Sequence, residues 1–528
     1  MSAGRLSRAW VLVLLALLFA WPETRAEQGA PAGYFRIRVV DEQSGRGVPL
    51  VELKTTNNIR SYTDSNGLLA FSEPGLMNQK VFFFVSSHGY EYPKDGFGFA
   101  GVALDVKPGG RAEIRLRRVN IAERLYRVTG QGIYRDSLLL GDSVPIAEPV
   151  LNAQVMGQDS VQAAVYRGNI HWFWGDTARP SYPLGQFRVS GAASKLPADG
   201  GLDPSAGVDL QYFVGADGFS KQMCPMPEAK EGAVWLDGVM VVPDEAGRER
   251  LVAHYARMKS LGEMLEHGFV IYDDESETFG KVVAFDLGKQ WQCLQGHPTS
   301  VTEGGTEYRL FPRPYPVVRV RADLAHVKDQ GSYEAFTPLV PRGSYQGKDS
   351  KVERDSEGRA VWGWKADTDP IGQSDEKQLI DASLLAPQEA RFQLKDVDTQ
   401  QAVLLHSGTF FYNAFRRKWI LIGVQVFGSS FLGEVWFAEA DSPTGPWAWA
   451  KKIVTHDRYS FYNPAHHPFF DQEGGRIIYF EGTYASTFSG NTDPTPRYDY
   501  NQVMYRLDLS DPRLDPSLLR SEGSRVAR

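Results

Sequence analysis

The sequence predicts an all-β protein: a small N-terminal β-sandwich followed by a five-bladed β-propeller. Three observations carry this. Long helical periodicity is almost absent, and short apolar or alternating runs are separated by turn residues along the whole chain. From residue 151 onward, a meander of aromatic-rich strands with Gly-containing hairpin turns recurs five times, at roughly fifty to seventy residues per unit, as irregular propeller blades do. At 528 residues the chain is also too long for one ordinary core.

The elements follow in order. Residues 1–26 look like a secretory leader: Arg5 and Arg8 precede the apolar run from Trp10 to Trp21, and Thr24-Arg25-Ala26 ends on a small residue at the cleavage spacing. The run is short for a membrane span. No later stretch is long and apolar enough to try, and no Cys near the cleavage site offers a lipid anchor. The mature chain is therefore expected to be secreted or periplasmic, with no transmembrane segment.

Residues 34–118 form the first unit. FRIRVVD (35–41) alternates apolar and polar residues and VPLVELKT (48–55) follows. Thr63-Asp64-Ser65-Asn66-Gly67 is a tight turn, with Asp64 as turn former; VFFFVSS (81–87) and AEIRLRR (112–118) close the set. Residues 119–150 lack the monotony of a linker and read as an ordered connection containing an edge strand, RLYRVTG.

The five propeller units occupy residues 151–510. The first is VQAAVYRGNIHWFWGDT, and GAVWLDGVMVV opens the second. SVTEGGTEYRLF opens the third, VLLHSGTFFYNAFRRKWILIGVQV the fourth, and GRIIYFEGTY lies in the last. Residues 341–399 fall outside the pattern, with a strand at WGWK (362–365). Residues 511–528 are a tail. The stretch 251–265 (LVAHYARMKSLGEML) is the one place with a helical look.

Net charge is -7, which argues against a nucleic-acid partner, since phosphates demand a basic surface. Cys224 and Cys293 are the only cysteines. An oxidising compartment would let them pair, and two buried thiols are the alternative. Neither has zinc-ligand spacing, and no metal or other cofactor is expected.

In a propeller, loops from blades distant in sequence converge on one mouth. Acidic residues beside aromatic strands are candidates to face each other there, and glycoside hydrolysis needs two carboxyl groups. WFWGDT (172–177) ends a strand in an acid, Asp176, and Asp159 starts the preceding strand of the same hairpin. This run resembles the first blade of D-arabinan-degrading hydrolases. ADSPTGPW (440–447) resembles a blade edge of the arabinanase/xylosidase group of five-bladed hydrolases. YNP (462–464) followed by GRIIYFEGTY (475–484) carries a third likeness. The arabinanase/xylosidase group's opening D-P on blade one is missing here.

The resemblance implies Asp159 and Asp176 as acidic site residues, and it implies a general acid from a middle blade, for which Glu434 in FLGEVWFAEA is the choice. Glu481 in YFEGTY is the other candidate acid. Residues 39–53 (VVDEQSGRGVPLVEL) and 62–71 (YTDSNGLLAF) resemble carboxypeptidase-regulatory-like (transthyretin-like) sandwiches, which implies an accessory role for residues 34–118.

The last unit is rich in polar groups beside aromatics. Asn463, His466, Arg497, Tyr498, Asp499 and Asn501, with Trp174 from the first unit, are the expected sugar contacts, because hydroxyls take directed hydrogen bonds and ring faces stack on aromatics. The expected function is a secreted glycoside hydrolase acting on a polysaccharide or oligosaccharide. The alternative is a non-catalytic carbohydrate-binding or surface-assembly protein, which needs no carboxylate pair. A lyase, with Tyr498 or Tyr500 as base beside Arg497, is a third reading.

Overall fold

The computed structural model describes residues 33–183, 189–515 and 517, so the leader expected at 1–26 and most of the expected tail lie outside the described residues. The chain is mostly β and is organised in four- and five-stranded sheets.

Two four-stranded sheets come first. One runs Leu68–Phe71, Phe35–Asp41, Arg111–Arg118, Tyr90–Glu91; the other runs Arg60–Tyr62, Glu52–Thr55, Gln79–Ser86, Gly101–Val106. Alternation decides which faces meet. In FRIRVVD, Phe35, Ile37 and Val39 turn inward while Arg36 and Arg38 stay nearer solvent, the period of two that a strand imposes. Their partners across the core are Leu53, Phe83 and Val85. Each such side chain contributes about 1.5–3 kcal/mol when fully buried. The carboxylate of Asp64 accepts from the backbone N–H groups of Asn66 and Leu68, as a turn former does, and also from Ser137 N and Oγ at 2.6 and 2.8 Å. It therefore ties the first unit to the segment that follows.

Five sheets come next. The first is Gln162–Tyr166, Asn169–Trp174, Ser190–Lys195 and Gln211–Tyr212; the second is Ala233–Pro243, Glu249–Ser260, Glu263–Asp273 and Thr278–Ala284. The third starts at Thr299–Glu303 and ends on Gly363–Ala366, where WGWK was expected to be a strand. The fourth is led by Leu405–Asn413 and edged by the short strand Lys395–Asp396. The fifth is Ser460–His466, Ile477–Ala485 and Asn501–Asp508, and its last place is filled by Glu123–Arg127, from ahead of the first of the five. That strand is the expected edge strand in RLYRVTG.

Each sheet shares a buried core with the next. Phe173 and Tyr255 meet between first and second, Val252 and Phe311 between second and third. Leu310 and Trp436 meet between third and fourth, and Ile422 and Phe480 between fourth and fifth. The fifth closes on the first, with Tyr479 and Met504 against Ile170 and Trp172. Hydrogen bonds reinforce this closure: Gln158 N donates to Tyr500 O at 2.8 Å, and Ser160 N to the Thr483 side-chain Oγ1 at 3.0 Å.

The helical look of residues 251–265 is corrected. The stretch spans Glu249–Ser260 and the start of Glu263–Asp273, two antiparallel strands turned at Leu261 and Gly262. Its β-branched and aromatic residues favour a pleated surface, and cross-strand pairing overrides the weak helical spacing. The longest helix described, Gln373–Asp381, lies in the part of the chain that fell outside the repeat. Cys224 and Cys293 are free and buried, and burial pushes both thiols up to about 12. Among the described residues no helix is long and apolar enough to cross a membrane.

Candidate functional site

The hairpin that holds Asp159 and Asp176 is paired on both sides of them by one continuous register. Above the pair, Gln162 faces Phe173; below it, Gly157 faces Ala178 and Gln158 faces Thr177. Extending either ladder sets Asp159 opposite Asp176. Between the ladders the strands part: Ser160 takes a positive φ of 55°, and Gly175 N donates to Asp159 O at 2.8 Å. An alanine methyl at Gly175 would press on Asp159 Oδ1 and force that carboxyl to shift.

Each carboxyl has its own surroundings. Asp159 accepts from Tyr462 Oη at 3.0 Å and from the Tyr500 hydroxyl; Asp176 accepts from Trp235 Nε1 at 3.0 Å. Burial, and after it the charge of Asp176, push Asp159 up to about 7 against the pull of Tyr462, Tyr500 and Ser160. Asp176 is also raised by burial, with Trp235 opposing. The charge of Asp176 thus favours the protonated form of Asp159. Both keep some solvent-accessible surface, so they sit deep in a recess that water reaches and not in a sealed core. Asn463 steadies the wall: its Nδ2 donates to Ser160 Oγ at 2.8 Å and its Oδ1 accepts from Ser407 Oγ at 3.0 Å.

Two residues at or beside the recess, Trp235 and Asp237, escaped sequence reading, while Tyr500 was named there only as a base for the lyase reading. Trp235 comes from the second sheet and Tyr500 from the turn ahead of Asn501–Asp508. Asp237 lies two residues beyond Trp235, pushed up to about 7 by burial, and accepts from Gln162 Nε2 and Gly296 N at 2.8 and 2.7 Å. An acid inside the apolar strand GAVWLDGVMVV was the available signal.

The other expected site residues fall elsewhere. The Glu434 carboxylate is engaged by its own loop, accepting from Ser429 Oγ, from Ser430 N at 3.3 Å and from Thr455 Oγ1 at 3.4 Å. Trp174 is 1% exposed and packs on Trp172 and Tyr212, so it is a core residue and not a sugar platform. Tyr498 is buried, donating to Thr63 O at 2.7 Å and accepting from Leu50 N at 3.2 Å. It staples the first unit to the rest, with its proton committed to a buried backbone carbonyl and not to a base role. Asn501, fully buried, accepts from Thr129 Oγ1 and donates to the Met156, Arg497 and Asp499 carbonyls. Asp499 accepts from Tyr459 Oη and Ser486 N, both at 2.6 Å. His466 meets Asp471 at 2.8 Å. Arg497 is exposed and supplies its carbonyl to Arg127. The expectation that Trp174, His466, Tyr498 and Asn501 grip sugar is corrected by these internal bonds and burial.

Glu481 is fully buried against His467, Oε1 to Nε2 at 2.8 Å. By distance this is an ion pair, but burial pushes Glu481 up to about 8 and, with the charge of His466, pushes His467 down to about 3. Both shifts favour neutral forms, so the contact is a neutral hydrogen bond. Glu481 Oε2 has no partner. A carboxyl raised on folding contributes stability that is whole below its unfolded pKa, about 4.3, and is lost as pH rises through its folded value, about 8. Glu481→Gln removes that dependence. The variant is expected to lose less melting temperature than wild type between pH 6 and pH 9, measured by calorimetry; equal losses would contradict the buried neutral acid.

No protein-family model and no curated protein matches the chain. Solved structures with a partial likeness include a putative exo-β-1,3-galactanase from Bifidobacterium bifidum, at 10% identity and a TM-score of 0.35 over 74% of this chain and 94% of that one. An exo-β-1,3-galactanase from Phanerochaete chrysosporium, with β-1,3-galactotriose, has 9% identity and a TM-score of 0.35 over 73% and 65%. An exo-1,5-α-L-arabinanase from a bovine ruminal metagenomic library has 10% identity and a TM-score of 0.32 over 67% and 94%. Likeness at this level fixes neither family nor activity; the residues must decide.

Proposed function

We propose that the five sheets are the blades of one closed five-bladed β-propeller, and that the chain is a glycoside hydrolase whose acid–base pair is Asp159 and Asp176. The observation that carries the reading is the pair itself: two acids held where the strands part between two ladders, near enough for the charge of Asp176 to act on Asp159, in a recess open to water. Such a placement costs stability, and a hydrolase has a use for it. Asp159, raised to about 7, holds a proton near neutral pH and delivers it to the glycosidic oxygen as the bond to the anomeric carbon breaks. Asp176, as the ionised partner, serves the anomeric centre, as base toward water or as nucleophile. Tyr462 and Tyr500 orient Asp159, Trp235 orients Asp176, and Glu434 holds its loop in place of acting as the acid. The expected leader would export the enzyme to meet its polymer.

The experiment is a screen of the purified chain against β-1,3-galactan, 1,5-α-arabinan, xylo-oligosaccharides and aryl glycosides of the corresponding sugars. Release of reducing ends that disappears in Asp176→Asn supports the reading. Glycan binding with no turnover by wild type favours the non-catalytic alternative.

A further inference from the structure

A second concavity lies away from the carboxylate pair, where the N-terminal sheets meet the last sheets of the chain. It is a cleft of about 700 Å³, within the range of about 300–1,000 Å³ that small-ligand sites occupy. Glu52, Arg60 and His88 line it from the N-terminal side, and Arg458, Asn491 and Asp493 from the other.

The chemistry of these walls narrows the ligand. Glu52, Asp457 and Asp493 nearly balance Arg60 and Arg458, while burial pushes His88 down to about 3 and leaves it uncharged. A polyanion would need a surplus of cations that the cleft does not have. An apolar ligand would strand its charged walls. What fits is a neutral ligand rich in hydroxyls, able to accept from guanidinium and amide groups and donate to carboxylates in alternation.

The cleft also shares a wall with the recess. In the 486–500 segment, Phe488 packs on Tyr462 with ring centroids 5.8 Å apart and Tyr500 bonds Asp159, while Ser489, Asn491, Asp493 and Thr495 face the cleft. One segment of chain therefore touches both sites.

We propose that this cleft is a second binding site, for a neutral oligosaccharide segment, built jointly by the N-terminal unit and the propeller. The proposal that both sites serve one polymer rests on the hydrolase reading; binding in the cleft does not. In that arrangement the N-terminal unit holds the chain of a polymer whose bond is cut in the recess.

The test uses the full chain with Asp176→Asn, so that ligand is not consumed, titrated calorimetrically with xylohexaose, arabinohexaose, mannohexaose and cellohexaose, and with hexagalacturonate as the anionic counterpart. At least one neutral hexasaccharide is expected to bind, and Arg60→Ala with Asp493→Ala, both exposed side chains, to weaken it at least tenfold with the melting temperature unchanged. Hexagalacturonate is expected not to bind. In the otherwise wild-type chain the same two substitutions are expected to raise KM for the polymer and leave turnover of a small aryl glycoside unchanged. Binding by none of the neutral ligands, equal binding by hexagalacturonate, or binding indifferent to Arg60 and Asp493 overturns the cleft. Cleft binding without aryl glycoside turnover overturns the hydrolase and leaves the cleft standing.

Discussion

Asp176→Asn is expected to lower kcat at least about 10³-fold for every leaving group, because it removes the one charge that serves the anomeric centre while preserving shape. Asp159→Asn is expected to behave differently. It takes away the proton donor, so it should cripple glycosides with poor leaving groups and spare activated aryl glycosides, whose departure needs little protonation. Glu434→Gln is the contrast. Its carboxylate bonds Ser429, Ser430 and Thr455, so the substitution should disturb the loop and change kcat far less than either aspartate. Steady-state kinetics on paired activated and unactivated substrates read all three. Equal, modest losses for both substrates in both aspartate variants would contradict the roles assigned.

The second large effect concerns stability. A chain starting at residue 119 keeps the strand Glu123–Arg127 but loses the surface it supports. Arg124, 1% exposed, donates to Pro49 O and His88 O at 3.1 Å and to Ser87; Leu50 sits in the core of the last two sheets. Removing residues 34–118 uncovers this face and Tyr498 with it. Several kcal/mol are lost, and the melting temperature is expected to fall by roughly 5–10 °C. Asp159, Asp176, Trp235, Tyr462 and Tyr500 all lie beyond the cut, so the folded fraction should still turn over a small aryl glycoside. An unchanged melting temperature would contradict the shared core, and a well-folded but inactive truncation would contradict an accessory role for the first unit.

What was legible in the sequence follows from the range of the interactions. Period-two alternation and turn residues are local, so the strands of FRIRVVD, WFWGDT and WGWK could be read directly. Asp159 and Asp176 were found together because one hairpin holds both, seventeen positions apart. Trp235 and Tyr462 reach the same recess from other sheets, and nothing local to them announces it; Tyr500 drew notice only as a base for a lyase. The polar residues of the last unit misled for a related reason. Asn501 and Tyr498 look alike in sequence whether they face a ligand or satisfy buried backbone groups, and here they do the latter. Residues 251–265 misled because a weak helical spacing coexists with β-branched and aromatic residues, and pairing with neighbouring strands decided between them.

The pH dependence of kcat/KM on a phenyl glycoside, for wild type and Asp159→Asn, tests the central claim most directly. Free-enzyme ionisations shape this quantity, and a proton donor raised to about 7 gives it an alkaline limb near that pH. Wild type is predicted to fall as pH rises through about 7, and Asp159→Asn to be slow and flat over the same range. A variant that keeps the wild-type rate and the same limb would place the acid elsewhere and contradict the Asp159–Asp176 pair.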